Sequence, residues 1–205
     1  MTIRRLTLAV VGTVLALTPV ACAEGTTSPS ETPAGHAGAN AMVLSGGGAL
    51  AKPNPTAKIV TYNPALAPVG ASVTANLTPA QHSTVATLMV TGLLPNRGYA
   101  VHAHTKACGA TGENAGPHYQ DRIDPAATPQ APSSNPAYAN PRNEIWLDVR
   151  TNAEGAGTSS VTVPFTFTDR TPESIVIHEA MTTATGPGHA GQAGARLACV
   201  TLSRQ

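Results

Sequence analysis

Ala71-Ser72-Val73-Thr74-Ala75-Asn76-Leu77 alternates apolar and polar side chains residue by residue, and Thr78-Pro79 marks its end. An extended chain sends successive side chains to opposite faces, so this run predicts a strand with one face on a core and the other in water. Thr84 to Leu93 repeats the pattern and is stopped by Leu94-Pro95-Asn96-Arg97-Gly98. Upstream, Lys58–Tyr62 is a further strand. Downstream come Tyr99–His104, Glu144–Thr151, a turn at Asn152-Ala153-Glu154-Gly155, then Gly157–Phe165, Ser174–Glu179 and Ala195–Leu202. Some eight short strands separated by Gly, Pro and Asn, with no sustained 3.6-residue period, predict an all-β antiparallel sandwich or barrel. Two long gaps, Thr105 to Asn143 and Ala180 to Gly194, interrupt this spacing and are flanked by histidines, which marks them as functional loops.

Composition supports the same class. Of 205 residues, 19 are Gly and 18 Pro, while charged residues make up 11% and aromatics 3%. Short strands and turns use such residues; coiled coils and large α/β sheets do not. The formal net charge of +1 gives no electrostatic footing for nucleic acid. One domain of ordinary size is expected, and low aromatic content with a flexible leader suggests a monomer.

The N-terminus reads as an export signal over residues 1–22. Arg4 and Arg5 precede an apolar stretch from Leu6 to about Leu17, too short for a comfortable membrane span. Two processing routes fit. Ala21-Cys22-Ala23 has the small-x-small shape of a signal-peptidase site. Alternatively, Cys22 becomes a lipidated N-terminal residue that anchors the chain to a membrane, although Pro19 stands where that motif usually has Leu. Either route places the mature chain outside the cytoplasm, as a cell-envelope lipoprotein or a secreted protein. Residues 23–56, with Gly25-Thr26-Thr27-Ser28-Pro29, Pro33-Ala34-Gly35 and Gly46-Gly47-Gly48, read as a disordered tether ahead of a domain spanning 57–205.

The chemistry lies in the histidines. His102 and His104 are two apart on a predicted strand, so both leave one face. His118, in Gly116-Pro117-His118-Tyr119, can bring a third imidazole from a turn, and His178 ends the strand Ser174–His178 with a fourth. Four nitrogens suit copper, zinc, iron or nickel, and a roughly square-planar nitrogen set suits copper(II) best. His36, His82 and His189 are expected in solvent. Cys108 and Cys199, the two cysteines besides Cys22, are expected to pair as a disulfide in an exported chain and to pin the first long loop to the last strand.

Gly98-Tyr99-Ala100-Val101-His102-Ala103-His104, Cys108, Ala115-Gly116-Pro117-His118-Tyr119, Val176-Ile177-His178-Glu179 and Ala193-Gly194-Ala195-Arg196-Leu197-Ala198-Cys199 together resemble the copper/zinc superoxide dismutase family, over about residues 57 to 203. The resemblance implies an eight-stranded Greek-key barrel, copper held by His102, His104, His118 and His178, and a Cys108–Cys199 disulfide. It also implies that Arg196 lies beside the copper and guides superoxide. The departure is in the zinc ligands. No His occurs between His118 and His178, and Arg142-Asn143-Glu144-Ile145-Trp146 stands where the family has a His-x-Gly-Asp-Leu segment. A tetrahedral zinc site needs four ligands, so copper without zinc is expected, as in the copper-only branch of that family. Without zinc, a carboxylate is the natural partner for the far nitrogen of His118. Glu144 is the candidate, with Asp121 and Asp124 competing. The expected activity is an extracytoplasmic copper-dependent superoxide dismutase. The alternative is a copper storage or delivery protein of the same fold.

Overall fold

The computed structural model describes residues 42–54 and 56–205. The expected export signal, Cys22, His36 and most of the expected tether lie outside them.

The described residues form antiparallel sheets with no α-helix. The first sheet has the order β11-β1-β3-β4-β8, from β1 (Leu44–Ala49), β3 (Ser72–Ala80), β4 (Ser83–Thr91), β8 (Gly157–Val163) and β11 (Ser203–Arg204). The second has the order β2-β10-β9-β6, from β2 (Ile59–Thr61), β6 (Val101–His104), β9 (Ser174–His178) and β10 (Arg196–Thr201). A short pair joins β5 (Gly98–Tyr99) to β7 (Val149–Arg150), and one 3-10 turn spans Gly112–Ala115.

Alternation builds the core. Val73, Ala75 and Leu77 of β3 and Ala86, Leu88 and Val90 of β4 are buried, while the residues alternating with them face outward, polar on β3 but including Val85 and Met89 on β4. They pack in one cluster with Val101 and Ala103 of β6, Ile175 and Ile177 of β9, and Leu197, Ala198 and Val200 of β10. On β9 every residue is buried. Ile175 and Ile177 enter the main core, whereas Val176 joins Val60, Ala115 and Cys199 in a smaller cluster. Both faces of the second sheet are therefore covered, one by the first sheet and the other by loops.

Three expectations are corrected here. Leu44–Ala49, expected within the tether, is a strand paired to β3 along its whole length. Gly46-Gly47-Gly48 serves close approach rather than freedom: a Cβ on Gly47 would meet Thr74 Oγ1 at 2.9 Å, and one on Gly46 would meet Val200 Cγ1 at 3.0 Å. Strand β3 runs through Thr78-Pro79 to Ala80. Pro79 is tolerated because β1 reaches only to Leu77, leaving one edge of that end of β3 without a neighbour. Glu144–Thr151 is not one strand. Leu147 N–H donates to Val101 O, but Val101 N–H donates to the Asp148 carboxylate instead of a backbone carbonyl, and regular pairing resumes only at β7.

Candidate metal centre

His102 and His104 lie opposite Val176 and Ser174 in the β6–β9 ladder, so they share a face with His178, two residues beyond Val176. This is the loop-covered face of the second sheet. His118 reaches it from an extended piece rather than from a turn. Tyr119 N–H donates to Ala103 O at 2.8 Å, bridges pair His104 with His118 and Gln120 with Glu144, and Tyr119 is buried in the core. Alternation then sends His118 and Gln120 to the opposite side from Tyr119. Arg170 fixes this piece: its Nη2 donates to the carbonyls of Gln120 and Asp121 at 3.1 and 3.0 Å, and its guanidinium lies over the Tyr119 ring.

The four histidines each offer a nitrogen within 4.8 Å of every other, the one such group of His, Cys, Asp or Glu among the described residues. His102 Nδ1 is 3.0 Å from His118 Nε2, and His104 Nε2 is 3.2 Å from His178 Nε2. Their other nitrogens identify the tautomers. His104 Nδ1 meets Gly116 O at 2.9 Å and His178 Nδ1 meets Gly194 O at 3.4 Å. Carbonyl oxygens only accept, so both Nδ1 atoms carry the proton and both Nε2 lone pairs face the cluster. His118 Nδ1–H donates to Glu144 Oε2 at 2.9 Å, again leaving Nε2 inward. His102 is reversed: its Nε2 lies 2.6 Å from Thr183 Oγ1 and its Nδ1 points inward.

Four imidazole lone pairs thus converge, two pairs of them at 3.0 and 3.2 Å with no proton between. A shared cation turns that repulsion into coordination, since nitrogens about 2 Å from one ion sit roughly 3–4 Å apart. With no thiolate and no carboxylate in the set, copper, zinc, iron or nickel fits, whereas calcium and magnesium, which need oxygen, do not. Burial holds His102 and His104 well below the usual imidazole range, and the neighbouring histidines reinforce it. Burial, then the proximity of His118, lowers His178 to about 3. Neutral rings are the form that ligates metal.

Glu144 is the carboxylate that reaches His118. Its side chain is 2% exposed and accepts from Trp146 Nε1 at 2.7 Å and Gln120 Nε2 at 2.8 Å besides His118. Asp124 instead braces its own loop, accepting from Ser133 Oγ and Ala126 N–H, and Asp121 is exposed. His82 is exposed in the β3–β4 turn; exposed His189 pairs with Gln192.

Arg196 owes its position to a bulge. It lies opposite His178 while Ala198 lies opposite Ile177, so Leu197 is the extra residue and both Leu197 and Ala198 enter the core. The Arg196 side chain is left on the histidine face, where Nη1 donates to Gly112 O at 2.7 Å. Burial lowers the guanidinium pKa from its usual value, opposed by Glu113 and Tyr62, but a guanidinium keeps its charge at any physiological pH. Cys108 and Cys199 form a disulfide with Cα atoms 5.7 Å apart. It ties to β10 the loop that carries both Gly112 O, the seat of Arg196, and Gly116 O, the seat of His104.

His118, His178, Arg196 and Glu144 line a cavity of about 600 Å³. Ile123, Pro129 and Pro132 of the first long loop form part of its wall. Sequence reasoning missed Thr183, Asp148, Trp146 and Gln120. Thr183, Asp148 and Gln120 act through contacts with residues remote in the chain, and Trp146 through Glu144 two residues away; none stands in a motif that announces it. No family model matches this chain, and no curated protein matches it.

Proposed function

We propose that this domain is an extracytoplasmic copper-dependent superoxide dismutase that works without zinc, built as a Greek-key β fold of eight principal strands. The observation that carries the reading is the convergence of four imidazole lone pairs, two of whose rings, His118 and His178, line one cavity with the fixed guanidinium of Arg196. Copper held by His102, His104, His118 and His178 would supply the alternating one-electron chemistry that takes one superoxide to dioxygen and a second, with two protons, to hydrogen peroxide. The chain supplies the rest. Arg196 presents a positive charge to a small anion and raises its encounter rate. His118 is the ring open to water, its side chain 19% exposed, against 0% for the residues His102 and His104 and 3% for His178. It is therefore the ring through which a proton from solvent would reach the centre, at Nε2 only when that nitrogen is not holding the metal.

Glu144 supports the zinc-free form. It occupies His118 Nδ1, the nitrogen through which a bridging histidine would reach a second metal. Copper storage or delivery would use the same four rings but would have no use for Arg196 at the cavity. The deciding experiment is a superoxide dismutation assay on the copper-loaded chain beside His118→Ala and Arg196→Ala, with metal content measured. Turnover lost in His118→Ala and lowered in a salt-dependent way in Arg196→Ala supports the reading. Tight copper binding without turnover in the wild type overturns it in favour of storage, and stoichiometric zinc beside copper overturns the zinc-free form.

A further inference from the structure

The four histidines lean on three kinds of support. His104 and His178 rest on the backbone carbonyls of Gly116 and Gly194. His118 rests on a carboxylate. His102, the one ring turned to present Nδ1, rests on a hydroxyl: Thr183 Oγ1 lies 2.6 Å from His102 Nε2 and donates to Asp148 Oδ1 at 2.7 Å. A carboxylate only accepts, so the hydroxyl proton is committed to Asp148 and the hydroxyl oxygen must accept His102 Nε2–H. Asp148 is itself fixed. Its Oδ2 accepts from Thr183 N–H at 2.7 Å and from Thr182 Oγ1 at 3.0 Å, while Oδ1 also accepts from Val101 N–H at 3.1 Å. That last donor is the residue before His102, so one carboxylate holds both the backbone at His102 and, through Thr183, the far nitrogen of its ring. His102 is wholly buried and Thr183 nearly so, so the bond between them is shielded from solvent, while the Asp148 side chain is 29% exposed.

We infer that Thr183 and Asp148 are positioning residues that set the tautomer and the donor strength of His102 toward a bound metal. This inference rests on reading the four histidines as a copper centre. A hydrogen bond to the far nitrogen fixes ring orientation and raises ligand basicity, and its loss commonly weakens metal binding about 10- to 100-fold. The relay makes His102 and His118, whose facing nitrogens are 3.0 Å apart, the carboxylate-supported half of the set. It also ties the loop after β9 to the centre, since that loop carries Thr183 together with Gly194, the acceptor for His178.

A purely structural role, with Asp148 stitching the loop to the sheet, is separable. Thr183→Val keeps side-chain shape and leaves the bonds from Thr183 N–H and Thr182 to Asp148 in place; it removes only the hydroxyl. Thr183→Ser restores it. In the metal-free full chain, long-range ¹H–¹⁵N correlations should show His102 as the Nε2–H tautomer and the other three ligands as Nδ1–H. Thr183→Val should abolish the His102 Nε2–H signature without moving the melting curve by more than a few degrees, and Thr183→Ser should recover it. Copper(II) affinity, measured by chelator competition, should fall about 10-fold or more in Thr183→Val, with altered EPR hyperfine coupling, and return in Thr183→Ser. Retention of the Nε2–H tautomer and of wild-type copper parameters in Thr183→Val overturns the relay. A wild type that takes up no copper while its tautomers respond as stated supports the relay and overturns the copper reading instead.

Discussion

Glu144 Oε2 sits 2.9 Å from His118 Nδ1 and 2.7 Å from Trp146 Nε1, so one buried carboxylate oxygen serves both a candidate ligand and an indole. The other oxygen takes Gln120 Nε2. All three donors lose their acceptor in Glu144→Ala, and the buried ones cannot turn to water. A destabilisation of about 2–4 kcal/mol is expected, because each buried donor left unsatisfied costs about 1–3 kcal/mol and the site relaxes in part. Chemical denaturation of the metal-free chain measures it, and a loss under about 0.5 kcal/mol would count against this account. Copper affinity should fall as well, with His118 no longer held.

Arg196 gives a salt-dependent prediction. If its charge draws in an anion, Arg196→Ala should lower kcat/KM for superoxide by roughly 10-fold at low ionic strength, with the gap narrowing as salt screens the field. Arg196→Glu should cost more at low salt and be rescued further by added salt. A deficit independent of salt would instead place Arg196 in a purely structural role, through its bond to Gly112 O.

The disulfide is expected to hold the site as well as the fold. The bridge closes a span of 91 residues, for which chain entropy gives about 4–5 kcal/mol as an upper expectation. Cys108→Ser with Cys199→Ser should lower the melting temperature by about 8–20 °C. Because the same loop carries the acceptors for Arg196 and His104, copper affinity should fall with it. Unchanged affinity in a destabilised double variant would separate the two roles.

Gly116 provides a sharper probe of that loop. Its φ is +70°, and a Cβ there would come within 2.6 Å of Thr105 Oγ1. Gly116→Ala is expected to cost about 1–2 kcal/mol and to shift the carbonyl that accepts His104 Nδ1–H. A chemical-shift change at His104 in the metal-free chain reads this directly; a silent His104 would show that the loop absorbs the strain elsewhere.

Stability should fall with acid in the metal-free protein. His102, His104 and His178 are held neutral in the fold, their pKa values lowered, that of His178 to about 3. In the unfolded chain each titrates near 6.5. The unfolded state therefore binds more protons below that pH, and stability present above 6.5 is lost as pH falls toward the native values. Three such groups give a slope of up to about 4 kcal/mol per pH unit. Urea midpoints between pH 7.5 and 5 should drop steeply, and bound metal should flatten the drop by keeping the rings occupied. A flat midpoint without metal would show that these rings are not held neutral by burial.

The strands that carry alternating patterns were legible in the chain: Val73, Ala75 and Leu77, or Val101 and Ala103 against His102 and His104. So was the gathering of chemistry near the two long gaps. Residues 44–49 were not legible, because a glycine run looks the same whether it is free or pressed against Thr74 and Val200. The break at Asp148 was equally hidden. Its sequence suits a strand, and only the arrival of Val101 N–H and the Thr183 hydroxyl diverts its carboxylate into the ladder.

What the sequence determined by itself was local: which residues face in, which histidines could share a surface, which cysteines were left to pair. Period-two alternation is a property of the extended backbone and needs no partner to be read. Which nitrogen of each ring points inward was decided only by the tertiary structure. That choice depends on an acceptor brought from elsewhere in the chain: Gly116 for His104, Glu144 for His118, Gly194 for His178 and Thr183 for His102. The bulge at Leu197 that turns Arg196 onto the histidine face is of the same kind, for register is settled between strands and never within one.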